Sequence, residues 1–199
     1  MPHDASVGET SISPVAPHLP GETGIWVLIF GDLVIFTLFF ATFTYYRGQS
    51  LALYMQSQQT LHQSFGALNT VLLLTSSLFV ALAMNALRRD GNRAATGLLA
   101  SAFCCGAGFL TVKYFEYGEK LRAGITLTTN EFYSFYYVLT GLHMVHVIIG
   151  MVVLLFMAKG ASTPGMDARR LVLMECGASF WHMVDILWVL IFPLLYLMK

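Results

Sequence analysis

Five apolar runs, each near the roughly 20 residues that a helix needs to cross a hydrocarbon core, decide what this chain can fold into. They fall at residues 25–46, 67–87, 94–114, 133–157 and 175–198. Lipid offers the backbone no water, so a crossing segment must pair its own N–H and C=O groups, as a helix or in a closed barrel. Runs of this length exceed the strands of a barrel, which need only about 9–11 residues. The expected fold is all-α: a polytopic bundle of five transmembrane helices in one domain, residues 24–199. Residues 1–23 read as a flexible N-terminal tail, because the stretch carries Pro2, Pro14, Pro17 and Pro20 but neither lysine nor arginine. It lacks the basic start of a signal peptide.

Composition agrees with a membrane protein. Hydrophobic residues make up 56% and charged residues 11%, against about 45–50% and about 25% in soluble domains. Acidic and basic residues balance at 11 each, so no net field points to nucleic acid. Cys104, Cys105 and Cys176 lie in or beside apolar runs without disulfide or zinc spacing and read as packing residues.

Basic residues give the expected orientation. Arg88, Arg89, Arg93, Lys159, Arg169 and Arg170 cluster in the second and fourth connections, close to helix ends. Lys113, Arg47, Lys120, Arg122 and Lys199 fall on the other side. The denser cluster puts the N-terminus in the cytoplasm and, after five crossings, the C-terminus in the periplasm. The first connection is then external, rich in Gln, and holds no catalytic motif. SAFCCGAG, residues 101–108, supplies a small-residue surface for helix contact, with Ala102 and Gly106 one small-xxx-small pair. Such a pair serves either a partner or this protein's own helices.

Ionisable residues inside the runs need the most explanation. They are Asp32, His143, His146, His182 and Asp185, with Glu116 and Glu175 near helix ends. A charged residue such as Asp at the centre of a spanning helix costs roughly 2.5–3.5 kcal/mol, so such residues usually face inward. At about 1.5 Å rise per residue, Asp32 and His182 lie roughly 10 Å from the cytoplasmic ends of their runs, and His146 and Asp185 roughly 15 Å. Similar depth allows one polar network across the first, fourth and fifth runs. His143 and His146 are i and i+3, as are His182 and Asp185, so each pair forms a stripe. Lys113, Glu116 and Lys120 read instead as a solvated or snorkelling helix end.

Three chemistries fit these residues. Imidazoles from facing helices can ligate haem or metal. Asp and His can line a proton or ion path. Polar side chains can also simply hydrogen-bond across helices. Chemistry alone favours the structural use over the proton path. Haem ligation fits least well, because a His-x-x-His pair on one helix does not specify two ligands matched in depth on different helices.

Four stretches together resemble subunit III of the haem-copper oxidase superfamily: GIWVLIFGDLVIFTLFFATF (24–43), KYFEY (113–117), FYYVLTGLHMVHVIIG (135–150) and SFWHMVDILWVLIFPLLYL (179–197). Gly-x-His-x-x-His-Val followed by Trp-His-x-x-Asp-x-x-Trp on consecutive runs is the specific part. The resemblance implies the five-helix form of the cytochrome c oxidase subunit III fold, in a bacterial cytoplasmic membrane. It implies a non-catalytic accessory subunit with no haem or metal of its own, room for a bound phospholipid, and a catalytic haem-containing membrane subunit as partner. Asp32 falls where the family has a buried carboxylate, usually Glu. Glu116, His143, His146, His182 and Asp185 match family signatures. The opening LPGETGIWVLIFGDL resembles the subunit-III-like accessory protein of bacterial nitric oxide reductase, so a role in denitrification is the expected reading. Subunit III of a quinol or cytochrome c oxidase is the near competitor. A haem-binding or independent proton-conducting membrane protein is the alternative from another class.

Overall fold

The computed structural model describes residues 22–89, 92–163 and 167–198; residues 1–21 of the expected tail lie outside them. The described residues are all helical apart from short connections. Helix α1 is Thr23–Gln49, α2 Leu51–Gln59, α3 Gln63–Leu87, α4 Asn92–Arg122, α5 Glu131–Ser162 and α6 Ala168–Phe192, continued by a π-helical turn, Pro193–Leu197. Five of these helices are long and apolar enough to cross a membrane. All five expected runs are recovered, with α4 and α5 reaching further than hydropathy alone indicated.

Local sequence explains the ends. Gly124, at φ 73°, closes α4, and the N–H groups of Gly124 and Ile125 bond back to Leu121 and Lys120. That pair of bonds is the Schellman motif, in which glycine takes the left-handed position cheaply. Asn130 caps α5 by accepting the Tyr133 N–H. At the chain's end, Pro193 brings no N–H to an i−4 bond, and the Met198 N–H reaches back to the Pro193 carbonyl, an i to i+5 bond. This wider turn carries the Tyr196 side chain, which is buried.

Helices α3, α4, α5 and α6 pack in sequence, and α6 returns to α3, so these four close around one core. Helix α1 lies outside the ring against α6 and α5. Only 11% of its most apolar window is buried, against 56% for the last span. Small residues permit the tight contacts within the ring. A Cβ on Gly150 would stand 2.6 Å from the Trp181 ring, and one on Gly177 2.7 Å from the Met157 sulfur. Ala102 is buried, with its carbonyl bonded by Ser76, and Gly106 faces Trp181 and Met151. That small-xxx-small pair therefore serves this protein's own helices.

Helix α2 was not visible as an apolar run. Its nine residues begin apolar and end in Gln56-Ser57-Gln58-Gln59, too short an apolar stretch to cross a membrane, and it is held by one aromatic anchor. Tyr54 is packed edge-on against Phe43 and Phe132, while Ser57 accepts a hydrogen bond from Asn130. Burial pushes the Tyr54 hydroxyl up to about 12, with the Glu131 carboxylate adding to the effect.

Candidate functional site

The polar residues inside the spans divide into separate groups. The most enclosed group lies in the half of the ring near the C-terminal end of α4. Lys113 and Glu116 are one turn apart on α4, and both side chains are 0% exposed. Lys113 Nζ donates to Glu116 Oε2 at 2.8 Å and to the Tyr196 hydroxyl at 2.9 Å. Tyr196 in turn donates to Glu116 Oε1 at 2.5 Å. The ammonium also lies over the Trp188, Tyr136 and Tyr196 rings, 4.9–5.4 Å from their centroids, where ring quadrupoles stabilise a cation. This corrects the expectation of a solvated helix end. Helix α4 continues to Arg122, and the pair neutralises itself inside the bundle. Lys120 is also buried and bonds the Thr60 carbonyl.

Next along the ring interior, Trp188 Nε1 donates to Thr70 at 3.0 Å. His143 is fully buried between Phe109 and Trp188, with centroids 5.4 and 5.3 Å away. Further still, the Ser77 hydroxyl of α3 meets His182 Nδ1 at 2.6 Å. Ser77 also lies beside Asp185, which is 4% exposed. At the end of α3, Arg88 pairs with Glu175 of α6 at 2.9 Å.

Outside the ring, Asp32 of α1 approaches His146 Nε2 of α5 at 3.4 Å, and His146 Nδ1 lies 2.8 Å from the Leu142 carbonyl. Phe36 and Phe180 flank the imidazole. Unlike the Lys113 pair, these side chains keep partial exposure, 23% for Asp32 and 17% for His146.

The single network expected across the first, fourth and fifth spans is therefore divided. Asp32 joins α1 to α5, but His182 and Asp185 turn toward α3 instead. Among the described residues no hydrogen bond connects the groups. The cause is helical geometry: i and i+3 stand about 60° apart around a helix. In a closed ring that angle separates an inward neighbour from a lateral one, so His143 meets the core and His146 meets α1. Sequence reasoning did not single out Tyr196 or Ser77, and it set Lys113 at a solvated helix end. Lys113 and Glu116 carried a usable signal, since a complementary pair one turn apart can enter the bilayer as a neutral unit. Tyr196 gave none, because its position depends on the π turn.

These arrangements bear on the three chemistries. Among the described residues no group of three or more His, Cys, Asp or Glu side chains is gathered as metal ligands. The His143 ring is covered by aromatic faces, and one ring nitrogen each of His146 and His182 is already engaged within the bundle. What the interior does offer is polar contacts that tie one helix to another.

Among the described residues, a closed helical ring with buried polar ties and one peripheral helix defines a multi-pass membrane protein. The profile for cytochrome c oxidase subunit III matches residues 19–199, and the chain belongs to that family. It is 30% identical to cytochrome bo(3) ubiquinol oxidase subunit 3 of Pseudomonas putida, over 88% of this chain and 84% of that protein. It is 28% identical to cytochrome c oxidase subunit 3 of Bacillus sp. strain PS3, over 93% and 92%. A protein of Aeropyrum pernix named heme-copper oxidase subunit I+III is 31% identical, over 88% of this chain and 22% of its own length.

Proposed function

We propose that this chain is subunit III of a haem-copper terminal oxidase: an accessory subunit that supports assembly and sustained turnover of the catalytic subunit and holds no haem or metal itself. The observation that carries the proposal is the subunit III match running from residue 19 to 199, with quinol and cytochrome c oxidase subunits among the relatives. The Aeropyrum pernix protein, whose name joins subunits I and III in one chain, supports a catalytic subunit as the partner. The enclosed imidazoles support the cofactor-free reading: His143 is walled in by Phe109 and Trp188, and His146 and His182 each have a ring nitrogen engaged within the bundle. In this reading the N-terminus faces the cytoplasm of a bacterium and the C-terminus the periplasm.

The relatives' names favour a terminal oxidase over nitric oxide reductase. The second reading keeps one specific feature, the Pro20-Gly21-Glu22 opening ahead of α1, and remains the denitrification alternative. Isolation of the tagged chain from its native membranes separates the two. The expected result is co-purification with a haem-containing subunit that consumes oxygen with quinol or cytochrome c as donor. A complex that reduces nitric oxide and not oxygen would establish the second reading. A chain purified alone with a stoichiometric Soret band would refute both.

A further inference from the structure

Two polar side chains of α6 line a cleft in which the fold gives them no partner. The cleft lies between α1 and α6, holds about 330 Å³, and is lined in part by Trp26, Ile29 and Leu33 of α1 and by Ser179, His182 and Ile186 of α6. As first and fifth crossings the two helices run the same way, and the Glu22 N–H meets Cys176 Sγ at 3.2 Å. That contact sets Ser179 and His182 beside the first two turns of α1. His182 lies roughly 10 Å inside its apolar run, below the interfacial level at which tryptophans such as Trp26 gather. Its Nδ1 is held by Ser77 at 2.6 Å, which orients the ring and leaves Nε2 as its second hydrogen-bonding atom. Among the described residues neither Nε2 nor Ser179 Oγ makes a hydrogen bond. Hydrocarbon supplies none either.

We infer that the α1–α6 cleft binds the ring of a quinol or quinone from the membrane, with Ser179 and His182 each holding one of its oxygens. Spacing selects the class. Residues i and i+3 of a helix stand about 5–6 Å apart at Cβ, a gap that a six-membered ring with oxygens at opposite positions spans and a single hydroxyl does not. Among the described residues that line the cleft none is Asp, Glu, Lys or Arg, so nothing there answers a fatty-acid carboxylate or a phosphate. Phospholipid headgroup and ester oxygens stay outside the hydrocarbon core, above His182. A serine hydroxyl donates or accepts, and imidazole Nε2 does either according to its tautomer. Quinol hydroxyls and quinone carbonyls are therefore both matched. Trp26 adds an aromatic ring to the wall, suited to packing against another ring. Ligand sites hold roughly 300–1,000 Å³, so this cleft admits the ring while the apolar tail runs into the lipid past the exposed Ile186. The inference goes beyond the accessory role and does not depend on which catalytic subunit the chain joins.

Titration of the full chain in phosphatidylcholine nanodiscs with a benzoquinone carrying a decyl tail tests the site. The readout is quenching of tryptophan fluorescence, with Trp26 in the cleft wall as reporter. Expected is a saturable component, displaced by the corresponding quinol and not by decylbenzene, which has ring and tail but no oxygens. Ser179→Ala and His182→Leu should each weaken saturable binding roughly three- to tenfold, the effect of losing one hydrogen bond within a membrane. Ser101→Ala on α4 should leave it unchanged. Should His182→Leu fail to fold, Ser179→Ala carries the test alone. Quenching that rises linearly with quinone content, equal displacement by decylbenzene, or full affinity in both cleft variants would overturn the quinol site and leave the functional proposal standing.

Discussion

Two acid–base pairs among the described residues of the spans, Lys113–Glu116 and Asp32–His146, solve the cost of burial in opposite ways. Lys113 and Glu116 lie on one helix, are shut off completely, and are completed by the Tyr196 hydroxyl and by the rings of Trp188, Tyr136 and Tyr196 itself. Asp32 and His146 lie on two helices, meet at a longer distance and stay partly open. The first pair is satisfied by its own chain, so its chemistry is spent on the fold. The second bridges two helices and ties the peripheral one to the ring. The packing shows the same contrast. The ring of α3 to α6 is closed on itself, whereas α1 rests on its outside with most of its surface free.

The comparison can be broken most easily at Lys113. Lys113→Met leaves Glu116 buried beside Tyr196 without its cation. Removing one partner of a buried pair typically costs about 3–5 kcal/mol, to be read from the unfolding of the detergent-solubilised chain. The double variant Lys113→Met/Glu116→Leu should recover most of that loss, since it leaves no uncompensated charge. Equal loss in both variants would mean that the pair does not act as a unit.

Gly150→Ala probes the closed ring without touching charge. The added Cβ would stand 2.6 and 2.8 Å from two carbons of the buried Trp181 ring. Overpacking of this kind costs about 1–3 kcal/mol, visible in the same unfolding measurement, and the variant should keep its co-purification with the partner once folded.

Between α1 and α5 the expectation reverses. Asp32→Leu should change unfolding of the isolated chain by less than about 1 kcal/mol, near the value of a hydrogen bond between membrane helices. A loss as large as that of Lys113→Met would erase the distinction between the two pairs.

The smallest effect belongs to Tyr54 on α2, outside the spans. Burial holds its hydroxyl protonated in the folded chain up to about 12, above the ordinary value of 10.0. Stability linked to this group is therefore intact below pH 10 and is lost as pH rises from about 10 through about 12. Tyr54→Phe should flatten that alkaline fall and change little at neutral pH, measured as unfolding midpoint against pH.

Much of the fold was legible because hydrocarbon imposes so few solutions. The five runs and their helical state follow from backbone hydrogen bonding alone, and the His-x-x-His and Trp-His-x-x-Asp motifs led to the family. Depth along each helix was readable only coarsely: it set Asp32 level with His182 and His146 level with Asp185, whereas the structure pairs Asp32 with His146. Rotation around each helix was not readable. That is why His143 and His146 seemed to share one stripe, although the core takes one and α1 the other. Lys113 was misjudged for a related reason: hydropathy ended the third span near Tyr114, before the pairing partner Glu116. The position of Tyr196 follows from the π turn begun at Pro193, a backbone detail that no apolar pattern encodes.

The accessory role at the centre of this account is tested most directly by oxygen uptake followed through prolonged turnover, in purified complex with and without this chain. The account predicts that the complex lacking the chain keeps its haem content and begins at a comparable rate, then loses activity sooner. Loss of haem together with the chain, or uptake that persists equally long without it, would contradict a supporting subunit that carries no cofactor of its own.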